Sequence, residues 1–387
     1  MPAVPVLTEG FAYGGEAFGR LPDGKICFFR GGVPGETADV ELAFSKRSFA
    51  RGVLKSVSEP GPTRIVPECP YAVRPGICVF CPGCSYQQVA YSEELKWKQR
   101  QLSDFLVRGH LAEPSVFEEP VAAPSRFGWR NRLKLSAAEG RVGFFSEDNR
   151  TVIDIEHCPL AVPEIDAVLP SRRRELKDGE VFFRWTPCDG VVINGGDRIL
   201  TEHLEDFGDF YVSAASFFQT DPQVAAQLAH GVAETLRRLG VRQLWELYCG
   251  VGVFSLIAAQ EISGLRSFGV ELDASAIGCA VRNARVRGVA ERCRFGVGNA
   301  EKWRAIPRGM DPDAVLVDPP RRGLSERLLA ALKHWRVPHI IYVSCAPDTL
   351  ARDLRRLAEH YRIARCRLYD MFPATGHFET LVQLDLQ

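Results

Sequence analysis

The chain has 387 residues, 46% of them hydrophobic, and its 48 basic and 48 acidic side chains cancel to a formal charge of zero. That length calls for two or three domains. No apolar run approaches the roughly 20 residues of a membrane helix, and the opening MPAVPVLTEGFAYGGE lacks the basic-then-apolar pattern of a secretory signal.

The expected compartment is therefore the cytoplasm, and a zero net charge decides nothing about nucleic acid. Basic residues cluster locally at Lys46, Arg47, Arg51 and Lys55, at Arg126, Arg130, Arg132 and Lys134, and at Arg172 to Arg174. Each cluster suits either a solvated face or contact with phosphates.

Residues 1 to 58 read as a small β-barrel. Turn signals (Gly14-Gly15, Pro22-Asp23-Gly24, Gly31-Gly32, Pro34-Gly35) separate short alternating runs such as KICFF and ADVELAF. Barrels of the OB type commonly bind single-stranded nucleic acid. Residues 59 to 210 read as a central α+β domain. It opens on Cys69, Cys78, Cys81 and Cys84 among prolines and glycines. A helix follows from about Tyr91 to Arg108, then a β meander over 127–160 that ends at His157-Cys158-Pro159. A disulfide framework does not suit a chain of this size without a secretory signal, so metal binding or catalysis is expected of the cysteine cluster. Four cysteines would serve a zinc site or an iron–sulfur cluster equally.

From 211 to 387 strand-like runs (QLWELYC, RSFGVE, CRFGV, DAVLVD, HIIYVS, IARCRLYD, ETLVQLDL) alternate with amphipathic segments at 252–262, 274–287, 324–334 and 348–360. This pattern predicts a Rossmann-like α/β domain, a parallel sheet covered by helices on both faces. Ligands of such sheets gather at the carboxyl ends of strands.

Three candidate residues fall there. Glu271, about 20 residues after the glycine turn LYCGVG, suits the ribose hydroxyls of a nucleoside. Asp318 opens DPPR. Cys345 ends HIIYVSC, before an apparent helix start that would lower its thiol pKa. Ser255 at the third glycine position argues for an adenosyl methyl donor over a dinucleotide. Cys249 is a rival thiol. Glu379, in MFPATGHFE, is a candidate base; His377 and a merely exposed glutamate remain alternatives.

Taken together, GGEAFGRLPDGKICFFRGGVPGE, CPGCSYQQ, EHCPL, FFQTDP, LYCGVG, DPPRRGL, YVSCAPDTLARDL and MFPATGHFET resemble the RNA (uracil-5-)-methyltransferase family. The likeness is greatest to its iron–sulfur members with an N-terminal TRAM domain, which act on 23S ribosomal RNA or tRNA. The resemblance implies a class I methyltransferase domain and S-adenosylmethionine as methyl donor. It implies RNA as partner, 23S rRNA first and tRNA second, and a monomer with no obligate protein partner. Cys345 would be the nucleophile and Glu379 the proton acceptor. Gln219, Tyr248, Glu271 and Asp318 would contact the donor. Cys81, Cys84, Cys158 and either Cys69 or Cys78 would hold a 4Fe-4S cluster, with Cys69 the choice made here. Three positions depart from the pattern: Val253 stands for the usual Asn, Ala346 turns SCNP into SCAP, and Asn299 replaces a common Asp.

Overall fold

A computed structural model describes residues 3–172, 176–302 and 311–387; Arg173 and Arg174 of the third basic cluster lie outside them. The chain divides into two compact units. One comprises residues 1–101, 125–184 and 372–377, the other 102–124, 185–371 and 378–387.

The first unit opens with β1 (Val4–Phe11), β2 (Ala17–Arg20), β3 (Ile26–Phe29), β4 (Thr37–Ser45) and β5 (Phe49–Glu59). They close into a barrel of order β1-β2-β3-β5-β4. Only β3 and β5 run parallel. Alternation puts Val6, Ala17, Cys27, Phe29, Val40, Ala50 and Leu54 into one core. Helix α1 (Tyr91–Val107) follows the cysteine-rich stretch. The meander is β6 (Arg132–Ala138), β7 (Arg141–Phe145) and β8 (Val152–Asp154), then α2 (Pro163–Arg172) and β9 (Gly179–Thr186), which pairs with β6.

The second unit holds β10 (Gly190–Ile193), the hairpin β11 (Ile199–Leu204) and β12 (Gly208–Ser213), and then the alternating region. That region runs α3 (Pro222–Arg238), β13 (Gln243–Leu247), α4 (Val253–Glu261), β14 (Arg266–Glu271), α5 (Ala274–Val286), β15 (Cys293–Val297), β16 (Ala314–Val317), α6 (Glu326–Trp335), β17 (His339–Ser344), α7 (Pro347–Leu357), β18 (Tyr361–Tyr369) and β19 (Glu379–Leu386). The seven-stranded sheet has order β15-β14-β13-β16-β17-β19-β18.

One expectation is corrected here. The sheet is mixed, because β19 inserts antiparallel between β17 and β18. The direct return from β18 to β19 carries no crossover helix, so the two strands can only pair antiparallel. Trp245, Leu316, Ile341, Tyr342 and Val382 are fully buried at the sheet centre.

Candidate active site

The turn after β13 is built by backbone conformations most residues avoid. Tyr248 (φ 63°), Gly250 (φ 52°) and Gly252 (φ 83°) are left-handed, and a side chain at Gly252 would collide with the Phe295 ring at 2.7 Å. The Gly250 amide donates to Glu271 Oε2 (3.2 Å), and the Leu272 and Asp273 amides donate to Oε1 (2.6 and 3.0 Å). Glu271, ending β14, is thus fixed beside the turn. Beneath it, the fully enclosed Glu246 accepts from the Ser255 amide at 3.0 Å and from the Ser255 hydroxyl. Burial pushes Glu246 up to about 8. The serine at the third glycine position therefore has a structural partner of its own.

A pocket of about 520 Å³ opens over this turn, lined among others by Phe217, Phe218, Gln219, Glu246, Tyr248, Gly250, Phe254 and Asp318. Gln219 Oε1 and the Tyr248 hydroxyl are buried there with no hydrogen-bond partner among the described residues. Buried polar atoms are otherwise almost always paired, so these two suit a polar ligand such as an adenosyl methyl donor. The pocket also holds Phe217, 64% exposed, which sequence reasoning did not single out. An exposed aromatic next to the Gln219 motif was its only signal.

The candidate reacting groups, Cys345 and Glu379, come from neighbouring strand ends. Ser344 on β17 pairs with Thr380 on β19, which sets Cys345 and Glu379 one step from the same rung. Glu379 is 4% exposed, and its Oε2 has no partner among the described residues. Burial, then the Asp318 charge, raises its pKa well above the carboxylate range, while Arg321 opposes the rise. Asp318 goes up to about 7 through burial and Glu271. The half-buried Cys345 is pushed up to about 12 by burial, then by Glu379 and Asp318, with Arg321 opposing.

This corrects the expectation of a thiol lowered by a helix N-terminus: desolvation and two carboxylates outweigh the start of α7. The rival Cys249 is 5% exposed with its pKa well raised, and its sulfur fills the space beside Gly269.

The three departures have local readings. Val253 is the first residue of α4. Asn299 Oδ1 accepts from the Glu301 amide at 2.9 Å, as an aspartate would. Ala346 is the N-cap of α7 and supplies no side-chain cap.

In the other unit Cys69, Cys81, Cys84 and Cys158 line one small cavity together with Tyr71, Arg130, Phe144 and His157. Burial raises all four thiols, and their charges act on one another. Second contacts hold the loops: Gln87 Oε1 accepts from the Cys69 amide (3.0 Å), and Asp166 Oδ1 accepts from the Cys158 amide (2.6 Å). Cys78 is exposed and is not among the residues lining this cavity. Among the described residues, however, no three His, Cys, Asp or Glu side chains converge closely enough to hold a single metal ion. The expected metal centre is therefore not shown.

Comparison with known proteins agrees with the fold and the catalytic unit. The family described as tRNA (Uracil-5-)-methyltransferase matches residues 308–387, and the TRAM domain matches residues 3–55. The chain is 28% identical to an uncharacterized RNA methyltransferase of Thermosynechococcus vestitus, covering 98% of this chain and 97% of that one. It is 29% identical to one of Halalkalibacterium halodurans, covering 99% and 97%. The crystal structure of Pyrococcus abyssi tRNA (uracil-54, C5)-methyltransferase in complex with S-adenosyl-L-homocysteine superposes with a TM-score of 0.74 at 25% identity, covering 99% of this chain and 100% of that one. The chain is thus similar along nearly its whole length to RNA methyltransferases, with a TRAM domain at residues 3–55 and a match to the tRNA (Uracil-5-)-methyltransferase family at residues 308–387.

Proposed function

We propose that the protein methylates carbon 5 of one specific uridine in RNA, with Cys345 as nucleophile and Glu379 as proton acceptor. The observation that carries this is the pairing of a half-buried thiol and a buried carboxyl at adjacent ends of β17 and β19. Carbon 5 of uracil is a weak nucleophile. The Cys345 thiolate adds its electron pair to carbon 6, and the carbon 5–carbon 6 double bond becomes an enolate. Carbon 5 then attacks the methyl carbon of the donor sulfonium, and the sulfur–methyl bond breaks to leave a neutral thioether. Glu379 removes the proton from carbon 5, the double bond re-forms, and Cys345 leaves as thiolate.

S-adenosylmethionine supplies the methyl group as a cationic sulfonium. Gln219, Tyr248, Glu271 and Asp318 are the residues we assign to holding it. The target base must leave its stack to reach the site.

We further read 1–58 as an RNA-binding barrel, 59–210 as a central domain and 211–387 as the catalytic domain of a cytoplasmic monomer. Cys69, Cys81, Cys84 and Cys158 would hold a 4Fe-4S cluster. The support for this reading is that the four sulfurs line one cavity, which suits all-thiolate ligation, and the resemblance favours iron.

The iron–sulfur resemblance favours 23S rRNA as substrate. A tRNA is the second reading, supported by the family matched at 308–387 and by the Pyrococcus abyssi enzyme. RNA carrying 5-fluorouracil tests the mechanism, because carbon 5 then has no removable proton. With S-adenosylmethionine, 23S rRNA or tRNA so substituted is expected to form a stable adduct through Cys345. On ordinary RNA, Glu379→Gln is expected to accumulate the methylated adduct. Intact donor binding without adduct on either RNA would sink the reading.

A further inference from the structure

An antiparallel barrel ordinarily shows water a polar outer face, and this one departs from that over one continuous strip. On β2 and β3 the inward residues are Ala17, Gly19, Cys27 and Phe29, which leaves Phe18 and Phe28 on the outside. They pair across the strands, with ring centroids 6.2 Å apart. Phe28 lies 6.2 Å from Phe49, at the start of β5, and Phe49 lies 6.0 Å from Phe44, near the end of β4. Phe44 is 41% exposed. At the far end the row continues to Trp97 across Gly10, where a side chain would collide with the Trp97 ring at 2.7 Å and crowd the Phe18 ring at 3.1 Å.

Each end of the row carries a cation. The Lys46 ammonium stands 5.9 and 5.6 Å from the Phe44 and Phe49 centroids, and the Arg100 guanidinium lies 4.9 Å from that of Trp97. Arg47, in the same β4–β5 turn, is exposed.

The place of this strip in the barrel gives it meaning. The strand order, with β3 parallel to β5 and β1 closing on β4, is that of a five-stranded OB barrel. Such barrels take oligonucleotides on the face of strands 2 and 3 and on the loop joining strands 4 and 5. Those are the elements that bear Phe18, Phe28, Phe44, Lys46, Arg47 and Phe49.

We propose that this outer row is a stacking platform for unpaired bases of the RNA substrate, with Phe28, Phe49 and the terminal Phe44 as its stacking rings and Lys46, Arg47 and Arg100 steering the phosphates. Rings offer a face to any base, and cations at both ends follow the backbone without reading sequence. The platform thus supplies affinity for a single-stranded stretch and leaves the choice of uridine to the catalytic unit. The proposal rests on the reading of the chain as an RNA-modifying enzyme.

The test uses the full chain and a fluorescent oligouridine of about 16 nucleotides. Phe44→Ala and Phe28→Ala are each expected to weaken binding about tenfold. Phe44→Tyr, which keeps a ring, should retain it. S-adenosylmethionine affinity should not change in any of the three. In the unsubstituted protein, photocrosslinking of 4-thiouridine RNA should mark peptides that contain Phe28 or Phe44 to Phe49, a readout that needs no variant to fold.

Equal oligouridine affinity of the alanine variants and the parent would overturn the platform. So would crosslinks confined to other segments, or a change of oligomeric mass in place of RNA affinity, which would mark a protein contact. If fluorouracil RNA still forms its adduct while these tests fail, the platform alone is lost. If oligouridine binding behaves as expected and no adduct forms, the methylation reading is lost and the platform stands.

Discussion

The thiol proposed as nucleophile sits in surroundings that disfavour its reactive form. Cys345 stands at about 12 because burial, Glu379 and Asp318 all disfavour the thiolate, outweighing Arg321 and a backbone hydrogen bond, which favour it. The signs give a direct prediction. Alkylation of Cys345, followed on its own peptide, should climb steadily with pH across the neutral and mildly alkaline range without levelling off. Glu379→Gln removes a negative charge and should speed alkylation; Arg321→Ala removes the opposing positive charge and should slow it. Identical pH profiles in all three proteins would show that these charges do not govern the thiol. Cys345, Glu271 and Asp318 were legible in the sequence because each follows or ends an apolar strand run. Glu379 could not be separated from His377, since two residues so near in the chain differ in burial only after folding. Gln219 and Tyr248 had no local pattern: one lies in the loop before α3, and the other owes its placement to a left-handed backbone.

Between strand ends and helices, one buried carboxylate does much of the joining. Asp353 of α7 is fully buried and accepts from the Tyr342 hydroxyl of β17 (2.8 Å), from the Leu324 amide (2.7 Å) and from Arg352 (2.7 and 2.9 Å). Arg352 also donates to the Arg322 carbonyl (2.8 Å), and the Thr349 hydroxyl donates to the Arg321 carbonyl (3.0 Å). The helix that begins just after Cys345 is thereby fastened to the loop that carries Asp318 and Arg321. Asp353→Ala would leave a hydroxyl and an amide unpaired in the interior, a loss of about 3 kcal/mol. Thermal unfolding should show that loss, and Cys345 alkylation should lose its dependence on Arg321 as the loop comes free. An unchanged melting temperature would contradict the clamp. Periodicity alone found α4 to α7, but it could not show that β19 would run against its neighbours, because strand direction depends on which connection closes the sheet.

At the scale of the whole molecule, pairings between distant stretches of chain escaped the sequence, while barrel, cysteine cluster and alternating region were each legible from local pattern. Residues 372–377 illustrate this. The Ala374 carbonyl accepts from the Ser85 and Tyr86 amides (3.0 and 3.1 Å), its amide donates to the fully buried Glu94 (2.7 Å), and Lys98 donates to the Phe372 carbonyl (3.1 Å). The two amides that grip Ala374 follow directly on Cys84, one of the four sulfurs around the cavity. A bound cluster would make this stretch rigid, because metal binding and local folding share one free energy. Protein purified without air should carry iron and absorb visible light. Removing that iron should lower the melting temperature and speed hydrogen exchange at the Ser85 and Tyr86 amides. Cys84→Ser should do the same, whereas Cys78→Ser, at an exposed residue that does not line the cavity, should do neither. Stoichiometric zinc without iron would refute the cluster. Unchanged exchange at those two amides after iron loss would show that residues 372–377 are held independently of it.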